Sequence, residues 1–169
     1  MYLLYLIQRI ILTIKARAKR RVFHKNCIMG DGVTISADAN CSKDLTAKIE
    51  IANNCDICCN LIAKGKAHIE IGHHTTVRGS TIIGAYRSIK IGNYVFISNN
   101  VRIYDNNNHP TSPQKRMQMC ASGDFYSDDW NWCHSDCEPI IIEDNVWKGC
   151  TTLLCSCRES RKSCKSSRE

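Results

Sequence analysis

Apolar and polar positions along this chain recur in a fixed frame. Ile49-Glu50-Ile51-Ala52-Asn53-Asn54-Cys55-Asp56-Ile57 carries apolar or small side chains at its first, third, seventh and ninth places, with a turn-forming tetrad between the third and seventh. The frame returns twenty residues later as Ile69-Glu70-Ile71-Gly72-His73-His74-Thr75-Thr76-Val77, and again as Ile89-Lys90-Ile91-Gly92-Asn93-Tyr94-Val95-Phe96-Ile97. A looser copy runs from Cys27 to Ile35, and Ile140-Ile141-Ile142-Glu143-Asp144-Asn145-Val146 resumes the frame after a long interruption. Alternation with period two predicts strands, and the tetrad predicts a sharp turn. An antiparallel sandwich has no need to repeat one tetrad in register, so the pattern predicts an all-β parallel solenoid. Coils of about eighteen residues make three hexapeptides on a triangular prism, and two extra residues fit a bulged corner. Gly72 and Gly92 follow an inward isoleucine where the chain must turn, and Asn54, Asn93 and Asn145 stand where a left-handed backbone is expected.

Before the repeats, residues 1–25 predict a helix, because Leu3, Ile7, Ile10, Ile11 and Ile14 recur at helical spacing. Arg9 interrupts an apolar run too short to span a bilayer, and no basic start or small-residue cleavage site marks a secretory signal. Two readings stay open: a helix covering the open first coil, or a basic helix in peripheral contact with an anionic membrane surface. The expected organisation is thus helix 1–25, solenoid body 26–147 with an excursion at 104–138, and a tail, 148–169.

Charge sharpens this division. The net charge is +7, yet the first 25 residues alone hold seven of the 23 Lys and Arg and no acid, while the body holds more acids than bases. A nucleic-acid binder would carry its basic stripe on the folded surface with aromatics for stacking, so nucleic acid is not an expected partner. Of the twelve cysteines, Cys27 and Cys55 occupy frame positions that Ile or Val fill elsewhere and read as small core residues. Cys55 and Cys58 form a CxxC without a second pair, and Cys133-His134 with Cys137 supplies three nearby ligands, so no native metal site is expected. Without a secretory signal the thiols are expected reduced and the compartment cytoplasmic, at most peripheral to the inner membrane.

Chemistry is expected in the excursion, since a coil gains no stability from some thirty extra residues and long loops on repeat scaffolds carry function. It opens with Tyr104-Asp105-Asn106-Asn107-Asn108-His109-Pro110 and closes with Asp128-Asp129-Trp130-Asn131-Trp132 before Glu138-Pro139. With the frame at Ile91 to Ile97 and the run Pro139 to Trp147, this segment resembles the hexapeptide-repeat acyltransferases. The likeness covers about residues 27–147 and points to the branch that O-acetylates maltose, galactosides, and capsule and lipopolysaccharide sugars. It implies a left-handed parallel β-helix, a homotrimer, acetyl-CoA as acyl donor and a sugar or polysaccharide hydroxyl as acceptor. His109 matches the family's catalytic histidine, which takes the acceptor's proton and returns it to the leaving thiolate. Asp105 is expected to orient the imidazole and Ser80 to supply an oxyanion donor. Tyr104, Trp130 and Trp132 are expected to line the acceptor pocket, and Trp147 and Gly149 the donor groove.

Two other readings stay open on the same residues. A γ-carbonic-anhydrase-like zinc site needs three histidines at a subunit interface; His109 has no histidine close behind it until His134, and His68 would join only by coincidence. A catalytically dead solenoid, kept as a trimerising scaffold, is the non-enzyme alternative. It gains weight from the end of the frame. Lys148 stands where an inward apolar residue belongs, and the Ser-, Cys- and Lys-rich run after it has the composition of a disordered tail. A change of reading frame near Lys148, with loss of the last coils and impaired activity, is the expectation.

Overall fold

The computed structural model describes residues 2–124 and 127–155. Helix α1 (Tyr2–Asn26) leads into five coils of three strands each: β1 (Ile28–Met29), β2 (Thr34–Ile35), β3 (Asn40–Lys43); β4 (Lys48–Ile51), β5 (Asp56–Ile57), β6 (Asn60–Ala63); β7 (His68–Ile71), β8 (Thr76–Val77), β9 (Ile82–Ala85); β10 (Ser88–Ile91), β11 (Phe96–Ile97), β12 (Arg102–Tyr104); and β13 (Ile140–Ile142), β14 (Trp147–Lys148), β15 (Leu153–Cys155). The first strands of all coils stack into face A, the second into face B and the third into face C, every pairing parallel. The expected β-helix is the fold observed.

Register follows the frame. Ile49, Ile69, Ile89 and Ile140 stack in one column and Ile51, Ile71, Ile91 and Ile142 in another. Nearly all of these side chains are buried, each worth roughly 1.5–3 kcal/mol over an exposed position. The seventh place, at the corner between faces A and B, takes Val33, Cys55, Thr75 and Val95, all buried. Thr75 is tolerated there because its hydroxyl donates to the Gly92 carbonyl (2.9 Å) and accepts from the Val95 N–H (3.2 Å). Cys55 is a core residue as expected, its thiol 3.1 Å from the Gly72 carbonyl, and burial pushes its pKa up.

The tetrad works differently from the expectation at one place. The left-handed residue is the sixth: Gly32, Asn54, His74, Tyr94 and Asn145 all have φ between 55° and 69°. Asn93 is at the fifth place and serves as a clamp. Its side-chain oxygen accepts from the His73 N–H (3.0 Å), as Asn53 accepts from Asp31 (2.9 Å) and Asp144 from Asn93 (2.7 Å). Three of the four steps between successive corners are therefore tied through a fifth-place side chain, and between the second and third coils the tie lies at the sixth place, Asn54 to His74 (3.4 Å).

At the start of the solenoid, the last turns of α1 pack on β2 and β3, burying Phe23 completely. Arg20 donates to the Val33 carbonyl (2.6 Å) and Lys19 to Asn40 (3.4 Å). At the far end, faces B and C continue beyond the expected limit at Trp147. Lys148 pairs with Ile97 and Leu154 with Ile103, so both take inward positions. Lys148 is only half-buried, because among the described residues it stands on the outermost strand of its face. Residues 156–169 of the expected tail lie outside the described residues.

Candidate active site

The corner from face C to face A is where the coils differ. Residues 44–47 and 64–67 make four-residue corners, 86–87 make a two-residue one, and after β12 the chain leaves for the excursion before re-entering at β13. Its base is closed by an antiparallel bridge between Asn106 and Cys137 and by the Glu138 N–H on the Asp105 carbonyl (2.9 Å). Asp105, fully buried, accepts from the backbone N–H groups of Tyr86 and Arg87 (2.7 Å each) and from the Asn106 amide (2.9 Å). The carboxylate therefore bolts the excursion to the preceding coil's corner.

Within the excursion, where the sequence pattern predicts loop, lies a helix. Helix α2 (Pro113–Ala121) starts with proline at its first turn, where the missing N–H costs nothing, and continues in good helix formers. From α2, Arg116 donates to the carbonyls of Pro110 and Thr111 and so fixes the turn that carries His109. Asn108, in a left-handed conformation, has its N–H on the Asn106 side chain (2.8 Å). His109 itself is exposed, its ring set edge-on against Trp130 with centroids 5.4 Å apart.

Trp130 and Trp132 come from two consecutive 3-10 turns, Asp128–Trp130 and Trp132–His134. Asn131 joins them: its N–H caps the first on the Asp128 carbonyl (2.9 Å), and its side chain accepts from Cys133 N–H (3.2 Å) to start the second. Trp132 meets Tyr104 edge-to-face at 5.8 Å, directly over Gly84. A Cβ on Gly84 would stand 2.5 Å from the Tyr104 ring and 2.9 Å from Trp132. Burial raises the Tyr104 hydroxyl above the usual phenol range, which keeps it a hydrogen-bond donor at neutral pH.

The two indoles also wall a cleft of about 520 Å³, lined in addition by Asp44, Lys64, Ser127, Asp128 and Asn131. Lys64 and Asp44, 3.5 Å apart, come from the corners of the two lower coils, so the excursion arches down over them. Asp44, Lys64 and Gly84 were missed by sequence reasoning. Only Gly84 left a trace there, a glycine where the equivalent strand has Ile62.

The structure divides the predicted set into two groups. Asp105, Tyr104, His109, Trp130 and Trp132 gather at the corner from face C to face A. Ser80, Trp147 and Gly149 sit by the corner from face B to face C, where Ser80, Asn100 and Thr151 are successive left-handed residues stacked one above another. Ser80 is exposed, with its carbonyl accepting from Arg102 (2.5 Å). Within one chain the two corners are separated by a strand length, on the order of 17 Å at 3.3 Å per residue.

A metal could be offered one trio among the described residues: Asp128, Cys133 and His134, whose ligand atoms lie within 4.8 Å of one another. Cys137 is not part of it, nor are His109 and His68; His68 instead pairs with Glu50 at 2.6 Å. Compared with protein-family models, curated proteins and solved structures, the chain matches none. The fold itself defines a parallel β-solenoid carrying an aromatic, histidine-bearing excursion at one corner.

Proposed function

We propose that this chain is an O-acyltransferase of the hexapeptide-repeat type, moving an acetyl group from acetyl-CoA to a hydroxyl of a sugar or polysaccharide. The observation that carries the reading is the single long interruption of a regular coil, which presents an exposed histidine braced by Trp130 and Arg116 beside an aromatic, polar cleft. Planar indoles with Asp44, Lys64 and Asn131 around them suit a sugar ring, which offers apolar faces and a hydroxyl edge.

His109 holds the proton. Its neutral imidazole accepts the acceptor's hydroxyl proton as that oxygen attacks an acyl carbonyl, and the imidazolium then gives the proton to the leaving sulfur. Acetyl-CoA supplies the activated thioester. The residues expected to hold it fit an extended ligand: Trp147 is 73% exposed, and nothing stands within 4 Å of where a Cβ on Gly149 would be. Asp105 acts as a positioning residue through the base of the excursion. In this reading the separated groups meet between copies, the corner with Ser80, Trp147 and Gly149 of one subunit facing the His109 excursion of the next in a trimer.

The test is thiol release from acetyl-CoA by the purified chain against a panel of sugars, with His109→Ala as control. Turnover that vanishes in the variant supports the reading. Turnover unchanged in the variant removes His109 from the mechanism, and no turnover with any acceptor favours the scaffold reading.

A further inference from the structure

Helix α1 docks on the solenoid by its last turns only. Phe23 is its buried residue, and Ala16 and Lys19 are half-covered on the same side, yet every described residue from Tyr2 to Lys15 is exposed. The apolar stripe that a cap would need to turn inward points the other way. Ile14 lies nine residues from Phe23, which at about 100° per residue puts the two on opposite sides of the helix. Leu3, Ile7 and Ile10 fall within about 40° of that same outward line. They remain 68%, 44% and 58% exposed, and Leu4, Ile11 and Leu12 beside them are also exposed.

Further along, the outward line changes character: Arg17, Arg21 and Lys25 continue it, all exposed. The helix thus presents a greasy amino-terminal part followed by a basic band, with no acid anywhere in its first turn or its length. We infer that α1 lies along the surface of an anionic lipid bilayer, with the stripe of Leu3, Ile7, Ile10 and Ile14 at the acyl chains, Arg9 turned about 140° away from it, and Arg17, Arg21 and Lys25 at the headgroup phosphates. Thirteen helical residues, 2–14, reach about 20 Å, short of the ~30 Å of a hydrocarbon core, so the helix does not cross and lies along one leaflet. No described helix is long and apolar enough to cross a membrane. A second copy is the poorer occupant, because pairing two such helices would bring two sets of basic residues together with no acid to offset them. Lipid phosphate supplies the opposite charge.

The test uses the full chain with sucrose-loaded vesicles of phosphatidylcholine, with and without about a third phosphatidylglycerol, at low salt and near 0.15 M. Wild-type protein is expected to pellet with anionic vesicles, more strongly at low salt. Ile7→Asp with Ile14→Asp is expected to reduce pelleting to background while leaving the melting temperature unchanged, since neither side chain touches the body. Arg17→Glu with Arg21→Glu is expected to weaken binding to the anionic vesicles by at least about tenfold. The inference is overturned if wild-type protein stays in the supernatant at low salt, or if the Ile7→Asp, Ile14→Asp protein pellets as wild type does. It is equally overturned if sedimentation velocity shows those substitutions dissolving an oligomer of a protein that ignores vesicles, which would assign the stripe to a second copy. None of these readouts depends on transferase activity.

Discussion

The corner between faces A and B and the corner between faces C and A solve one problem, turning a chain by about a third of a circle, in opposite ways. The first repeats one device: a left-handed residue at the sixth place in all five coils and a fifth-place side-chain clamp from Asn53, Asn93 and Asp144. The second changes up the stack, from two four-residue turns, in the first of which Asp44 accepts from the Gly65 N–H (2.7 Å), through a two-residue turn to an excursion bolted by Asp105. Where a corner must only turn, neighbours above and below dictate its residues. Where it leaves the stack, those neighbours stop dictating, and side chains such as His109 and Trp130 are chosen for what they meet.

The dependence should run one way, from wall to excursion, and substitutions can break that claim. Ile69→Asp puts a charge at a fully buried position on face A and should cost several kcal/mol, unfolding wall and excursion together in a thermal melt. Ile141→Asp, on the same face but 64% exposed and beside Lys90, should leave the melt within about 0.5 kcal/mol of wild type. Next in size, His109→Ala should lower sugar-dependent thiol release by roughly 10²–10⁴-fold with no change in melting. Asp105→Asn keeps only one acceptor for two backbone N–H groups, so a loss of about 1–3 kcal/mol in denaturant unfolding is expected. If that loss were absent, the excursion would not be bolted through Asp105.

Smaller still, Gly84→Ala should push Tyr104 and Trp132 apart, at roughly 1 kcal/mol and with a changed near-ultraviolet dichroism, while the other two faces stay as they are. The mildest test lies at the regular corner. Backbone and side-chain hydrogen bonds from Asn93 hold the Asp144 carboxyl below the usual carboxylate range. A depressed folded-state pKa stabilises above the unfolded value near 4 and loses that contribution as pH falls below it. Melting temperatures of wild type and Asp144→Asn should therefore converge in acid and separate slightly above about pH 4. Equal separation at all pH values would mean that the clamp does not depend on charge.

The wall was legible because its determinants are periodic. A column such as Ile49, Ile69, Ile89 and Ile140 is visible as spacing alone, and so was the helix that precedes it. The sixth-place rule was half visible: Asn54 and Asn145 signal a left-handed residue by type, but His74 and Tyr94 hold the same backbone only because the stack around them fixes it. In the excursion, residue types announced chemistry but not partners. The edge-on contact of His109 with Trp130 and the cleft shared with Lys64 join positions far apart in the chain, and no spacing encodes them. The turning of the α1 stripe away from the solenoid was likewise hidden, because it depends on which side Phe23 docks.

Strand β13 rejoins face A directly above β10, with Ile140 over Ile89, as though the excursion had never been there. The corner is in effect a splice site: what lies between Asn106 and Cys137 is free in length as far as the stack is concerned, since each doubling of a flexible loop adds only about 0.6 kcal/mol. A lineage built on this scaffold could lengthen, shorten or exchange the inserted cassette, and with it the molecules it handles, without shifting the strand register of the prism.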